Sequence, residues 1–488
     1  MHSSPHGCDA LGEFALGRLI VTVRENTAPV QVEELARSHS ARVESLGETH
    51  WLFHFPEGAD IEGKIPLLLI IPFVRFAELD RVVRIPEWEG KEEEGDNPAP
   101  LLVTNDPLIP KQWHLNACNV KPCWDVTTGE GIYVGIIDTG ISYTHPDLIV
   151  DQEKSWNYYA GTADARDDNG HGTCVGGVVA MVLNNAKGGA GISPSAILVA
   201  FKVADSTGLG YWSKIVASIN AAMGKGVRVL NASFGDLLNA GSILSAAAAY
   251  KAKGGILCIA GGNTGNDPGY TPSDSVITVV GTNQSNVRWS SSSYGPWANI
   301  AAPAVSICSS LMSGGYTYSA SGTSFASPIV AGAVALIMTA SKLLTSKQIE
   351  EVLYATATPI SSAGMGSGKL NAWKAVTHAQ EFNPNPPIEP PIEPPVEPPP
   401  IDITAPTVTI SAPDTISGNV TVSMASSESA ALEILINGKI RATGTGRALK
   451  FQWNTRKEAK GNHLILARAT DSASPPNIGQ AEKTVVKS

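Results

Sequence analysis

Clusters of positive charge are missing from this chain: 35 Lys and Arg face 45 Asp and Glu, for a formal charge of −10. Without a basic stripe there is nothing to track a phosphate backbone, so nucleic acid is not an expected partner. Charge of either sign is scarce, at 16% of residues, which argues against a charge-driven binder. Long apolar runs are missing too. The longest strongly apolar stretch, Leu67 to Phe73 in KIPLLLIIPF, is far short of the ~20 residues a bilayer span needs and is flanked by prolines. Cysteine is sparse: Cys8, Cys118, Cys123, Cys174, Cys258 and Cys308 have neither metal-ligand spacing nor the density of a disulfide scaffold. Cys118 and Cys123 could bridge or could equally be two unrelated thiols. The opening MHSSPHGCDALGEF lacks the charged end and apolar core of a secretory signal, so either a signal has been trimmed or the protein stays inside.

What the chain does have is Gly and Pro, 47 and 33 of them, and length. At roughly 150 residues per domain, 488 residues predict about three domains. After an N-terminal segment (1–16), residues 17–86 read strand (RLIVTV), amphipathic helix (VQVEELARSHS), strand (THWLFHF), mixed apolar segment and strand (RVVRIP), an α+β pattern. The acidic stretch EGKEEEGDNPAP within 87–103 reads as an exposed connector. From 104 to 379 apolar strands alternate with helices: YVGIIDTG, ILVAFKV, VRVLNASFG, GILCIAGG and SVITVVG. That alternation predicts an α/β fold with a mostly parallel sheet and helices on both faces. Within 380–402, NPNPPIEPPIEPPVEPPP favours an extended polyproline spacer. Residues 403–488 alternate apolar and polar in short runs and predict a small antiparallel β-sandwich, with the Asn-Gly pair of INGK as a hairpin turn.

In a parallel α/β sheet, function collects at the carboxyl ends of strands. IYVGIIDTG puts Asp138 there, GHGTCVGG puts His171 at the start of a small-residue helix, and SGTSFASP puts Ser324 just before a long apolar helix, with Pro328 expected in its first turn. A serine hydroxyl is a poor nucleophile unless a base takes its proton and a carboxylate holds that base. Asp138, His171 and Ser324 supply those three groups. Singly, each has a bland reading as a turn former, a helix start or one serine among many; jointly they would need three coincidences.

DTGI followed by HPDL, HGTCVGG and GTSFASP, in this order, resemble the subtilase family of serine proteases, especially its thermitase-like members, over essentially all of residues 104–378. The resemblance implies a subtilisin-like fold and a serine endopeptidase, with Asn263 in ILCIAGGNTGN as the side-chain donor to the oxyanion, beside the nucleophile's own N–H. It implies that substrate adds as a strand between Gly208-Leu209-Gly210 and Ser233-Phe234-Gly235, with Gly261 and Gly262 walling a slot for an uncharged, bulky or apolar residue. It also implies one structural Ca2+ held by the side chains of Asp106, Asp147 and Asn185 and the carbonyls of Val182, Lys187 and Gly189, an oxygen-only set suited to a hard cation. Asp147 and the Asn184-Asn185 pair read equally as ordinary turn residues. Four places depart from the family pattern. Phe325 replaces the usual Met, which removes a sulfoxide site and implies resistance to peroxide; Ile329 replaces a common His; and AAPA stands at Ala301 to Ala304. Cys174 follows the HGT motif where a second His is common, and an inert buried thiol is expected there.

Residues 17–84 resemble subtilase propeptides, most clearly in LFHFPEGADIEG and FVRFAELDRVV, which implies a ferredoxin-like inhibitor and folding template, removed by self-cleavage between Pro86 and Thr104. The last 86 residues resemble bacterial Ig-like domains, which implies either docking to a particulate substrate or cell surface, or a passive spacer. The whole implies a monomeric, self-processing precursor of broad specificity acting on protein or peptide substrates, exported rather than cytoplasmic. The rival is a non-catalytic binding protein on the same scaffold.

Overall fold

The computed structural model describes residues 6–9, 12–85, 104–381, 405–471 and 477–488. The chain divides into two compact units, residues 1–384 and 385–488. The expected proline spacer and the expected cleavage region lie outside the described residues.

In the first unit, all five apolar runs read from the sequence become strands: Tyr133–Asp138, Ile197–Lys202, Val229–Ala232, Ile256–Ala260 and Ile277–Thr282. They form the middle of a seven-stranded sheet, joined at its edges by Ile300–Pro303 and Trp156–Asn157. Every pairing in it is parallel. Side chains alternate between two cores. Val134 and Ile136 enter one layer with helices His171–Ala180 and Thr323–Ala340, while Ile137 enters the other with helices Trp212–Ala222 and Gly241–Ala252. Both faces are thus covered, which is why these strands read as unbroken apolar runs. Helix Thr323–Ala340 is buried at every residue from 323 to 338. It is long and apolar enough to cross a membrane, yet 89% of its window lies inside the protein; a helix apolar on all sides is a core helix here.

The N-terminal strands Arg42–Ser45, His50–His54, Gly12–Val23 and Val74–Arg84 lie side by side in that order, with helices Pro29–Ser38 and Ile61–Leu69 in the connections. This is a βαββαβ split arrangement. The segment read only as mixed apolar is the second helix, started by Asp60, whose carboxylate accepts from Gly63 N at 2.9 Å. Residue 17 falls inside a strand that begins at Gly12, and His6–Asp9 pairs with that strand. A boundary at 16/17 therefore cuts a single sheet.

The second unit forms one hydrogen-bonded sheet of six strands, not two separate sheets. Its long strand Asn419–Ile436 pairs with Val408–Ser411 near one end and with Gly461–Thr470 near the other, and with Lys439–Asn454 along most of its length. The register shift between Ala425 and Ala430 lets one strand serve both halves. The INGK turn forms as expected: Asn437 and Gly438 have φ of 50° and 77°, the two positive values a type I′ hairpin needs.

Candidate active site

Asp138 ends strand Tyr133–Asp138, and Ala232 at the end of the central strand beside it pairs with Ile137, so Asp138 and Ser233 leave the sheet side by side. His171 opens its helix behind Gly170, whose φ of 107° favours glycine. Gly172 allows the helix to close on the strand end: a Cβ there would lie 2.1 Å from the Gly140 carbonyl. The result is a buried contact in which both Asp138 oxygens face His171 Nδ1, at 2.9 and 3.0 Å. A carboxylate only accepts, so Nδ1 carries a proton, and in the neutral ring Nε2 is then the acceptor. Asp138 Oδ1 also accepts from Thr139 N at 2.8 Å. Asp167 braces this corner, its oxygens accepting from Thr139 Oγ1 at 2.8 Å and Thr173 Oγ1 at 2.6 Å.

Ser324 is the second residue of helix Thr323–Ala340, at its positive end. Its Oγ donates to the Ser233 carbonyl at 3.2 Å, and the residue is 4% exposed. Pro328 is not in the first turn of this helix but in its second. It lies four residues after Ser324 and has no N–H, so the Ser324 carbonyl loses its helical donor. Ser233 Oγ replaces it at 2.8 Å. Asn231 Nδ2 donates to Ser233 Oγ at 2.9 Å, and Ser327 Oγ donates to Asn231 Oδ1. This chain of side chains, invisible in the motifs, ties the Ser324 backbone to the neighbouring strand.

Asn263 Oδ1 accepts from Thr323 N at 2.9 Å and Thr323 Oγ1 at 2.8 Å, which turns its Nδ2 the other way. A methyl placed on Gly322 would sit 3.4 Å from Asn263 Nδ2 and 3.7 Å from Ser324 N, so two donors border one small space. Phe325 is buried with its ring 5.6 Å from the His171 ring.

A cleft of about 450 Å³ opens beside Ser324, Asn263, Gly262 and Gly235. Gly261 is not on it: its Cβ would press into Val280 and the Val279 carbonyl. Asp236 and Tyr270 also line this cleft, so a charged side chain stands where the sequence suggested none. The N-terminal strand reaches the same place. Val82, Val83 and Arg84 pair antiparallel with Tyr211, Gly210 and Leu209, and Ile85 N donates to the Gly208 carbonyl at 2.9 Å. The same strand carries Glu78 and Asp80 to two helix N-termini whose own cap residues, Ala240 and Tyr211, supply no side-chain acceptor. Glu78 accepts from Ser242 N at 2.7 Å, and Asp80 from Ser213 N at 2.9 Å.

Around Asp147, the carbonyls of Val182, Lys187 and Gly189 accept no protein hydrogen bond among the described residues. Asp147 Oδ2 is buried without a donor, and burial pushes its carboxyl up to about 7. An oxygen-seeking cation fits these four groups. Asp106 is turned toward the N–H groups of Asn184, Asn185 and Ala186, and Asn185 presents Nδ2 to Asp147 at 2.6 Å, an orientation that does not fit. Among the described residues, no cluster of three His, Cys, Asp or Glu exists. Cys118 and Cys123 are free and buried, and burial raises both thiols to about 12. Burial also raises the Cys174 thiol, consistent with an inert group.

The subtilase family profile matches residues 129–380. Thermitase from Thermoactinomyces vulgaris is 33% identical over 279 residues, covering 56% of this chain and 99% of that protein. The chain belongs to the subtilase family. It is a subtilisin-like serine endopeptidase, a hydrolase. Another similar subtilase, a thermophilic serine proteinase from Bacillus sp. (strain AK1), is 36% identical over 380 residues, covering 75% of this chain and 89% of the relative. Among solved structures, a protease from Pseudoalteromonas arctica superposes with a TM-score of 0.52 at 27% identity, covering 57% of this chain and all of that one.

Proposed function

We propose that this subtilase is a self-processing endopeptidase of broad specificity in which Ser324 is the nucleophile, His171 the base and Asp138 the group that orients it. The observation that carries the reading is the buried His171 Nδ1 contact with both Asp138 oxygens, on the rim that also bears Ser324. With the proton on Nδ1, Nε2 accepts the Ser324 proton as Oγ attacks the carbonyl. Negative charge then grows on the former carbonyl oxygen, where Asn263 Nδ2 and the Ser324 N–H would stabilise it. His171 returns the proton to the leaving amine, and water repeats the sequence on the acyl-enzyme.

Substrate would take the strand position held by residues 82–85, with Ser233-Phe234-Gly235 on its other side. The N-terminal unit would accordingly be an inhibitor in cis, retained as a zymogen until the chain is cut between 86 and 104. A precursor silenced in this way suits export, and N-terminal sequencing of protein recovered from culture medium tests that point. Asp147 and the carbonyls of Val182, Lys187 and Gly189 would hold a structural Ca2+, with Asp106 and Asn185 beside it after reorienting. Bound calcium would supply stability and no chemistry, so a chelator that leaves the unfolding temperature unchanged would remove it from this reading.

Casein digestion by the full chain, with and without a serine-directed phosphonate, tests the central assignment. The enzyme digests casein and the inhibitor stops it; Ser324→Ala neither digests casein nor cuts its own chain. Digestion by Ser324→Ala at the wild-type rate would refute the assignment.

A further inference from the structure

We infer that the slot beside Ser324 receives a basic side chain, Lys or Arg, from the residue whose carbonyl is attacked, and that Asp236 selects it. This rests on the assignment of Ser324 as nucleophile and adds the substrate class. The walls of the slot are backbone: a Cβ on Gly235 would meet nothing closer than Gly262 Cα, 3.8 Å away. Of the described residues from 104 to 381 that line the cleft, Asp236 alone is charged. Its backbone is left-handed, with φ of 62°, a conformation that disfavours side chains other than Asn and Asp and marks the position as one where a side chain is kept at a cost.

The carboxylate is held in place. Tyr270 donates its hydroxyl to Asp236 Oδ1, and the Tyr270 ring is buried and packed edge-on against Trp297 at 5.0 Å. Trp297 is fixed in turn by its Nε1 donating to Asp267 Oδ1 at 2.8 Å. Burial first, and the hydrogen bond to Asp236 second, raise the Tyr270 hydroxyl's pKa. Asp236 has no ion-pair partner among the described residues. The other charged groups on the cleft belong to the N-terminal unit and are mutually paired: Arg81 with Asp9 at 2.7 Å and Arg84 with Glu13 at 2.6 Å. They would depart with that unit, leaving one negative charge at the slot. A Lys or Arg stem can lie between glycine walls while its cationic end reaches Asp236.

Two measurements on the full chain and on Asp236→Asn test this. In matched peptides that differ only at the residue before the cut, the self-processed enzyme favours Lys or Arg over Leu by about tenfold in kcat/KM, and Asp236→Asn brings the ratio to about one. Benzamidine, a small cation, binds the self-processed enzyme in calorimetry more tightly than neutral benzamide, and Asp236→Asn abolishes the difference. A wild-type preference for Leu, or a ratio that Asp236→Asn leaves unchanged, overturns the proposal. The benzamidine arm needs no turnover, so absence of hydrolysis of every peptide with cation binding intact would count against Ser324 and not against Asp236.

Discussion

Asp80 on the N-terminal strand and Asp138 on strand Tyr133–Asp138 are buried carboxylates and Glu78 is half-buried, but the partners of Glu78 and Asp80 differ in kind from those of Asp138. Asp138 is satisfied by His171 and Thr139 from its own catalytic region. Glu78 and Asp80 are satisfied by helix starts that lie across an interface, in segments that have no caps of their own. One carboxylate is held within its own region and the other two across an interface. The catalytic region therefore looks finished at its rim and unfinished at the two helix N-termini that the N-terminal unit covers.

The comparison breaks most visibly at the rim. Asn263→Ala removes the side-chain donor to the oxyanion and is expected to lower kcat by ~10²–10³-fold with KM little changed, a magnitude taken from the same donor in a related subtilisin. An equal rise in KM would mean that Asn263 binds ground state and transition state alike. On the docking side, Asp80→Ala uncaps helix Trp212–Ala222 and strands Arg18, whose guanidinium is 2.8 Å from the lost carboxylate. Inhibition by the N-terminal unit should weaken by about tenfold or more, measured as faster appearance of peptidase activity during maturation, while kcat of the mature enzyme stays constant.

Ser233→Ala sharpens the contrast, because Ser233 acts through Ser324 and not on substrate by its side chain. Deleting the hydroxyl leaves the Ser324 carbonyl without either a helical or a side-chain donor. A fall of roughly tenfold in kcat, with KM nearly constant and partial rescue by Ser233→Thr, is expected from one lost buried hydrogen bond. Equal loss in Ser233→Thr would show a packing role only.

The smallest expected effect is on pH. His50 is buried where the N-terminal sheet meets the catalytic region, and Asn220 Nδ2 lies 3.4 Å from its Nδ1. Burial first, then Arg75, lowers its pKa to about 4. The folded state thus disfavours the imidazolium relative to a freed chain with the ordinary value near 6.5. Docking is unaffected above pH 6.5 and weakens as pH falls from there to about 4. Release of the N-terminal segment from enzyme already cut should quicken several-fold over that window, and His50→Gln should flatten the response.

Much of this was legible in the sequence because burial on both faces writes β-branched and apolar residues continuously, as in YVGIID and ILVAFK. Asp138, His171, Ser324 and Asn263 were legible because each sits beside glycines or small residues that the local geometry requires, such as Gly170 and Gly172. Edge strands were not. Ile300–Pro303 ends in proline and looked like a loop, and Trp156–Asn157 is two residues long. Pro328 was misplaced by a turn, because the Ser233 hydroxyl that stands in for its missing N–H lies 91 residues from Ser324 in the chain. Asp236 was missed because it lies one residue beyond the SFG segment, and its meaning comes from Tyr270, 34 residues away.

The most direct measurement is covalent labelling of the mature enzyme with a serine-directed phosphonate, followed by mass mapping. The account predicts one equivalent of label on Ser324, with labelling blocked while residues 6–85 remain docked and slowed by orders of magnitude in His171→Ala once an added protease has removed them. Label on another residue, or unchanged labelling in His171→Ala, would contradict it.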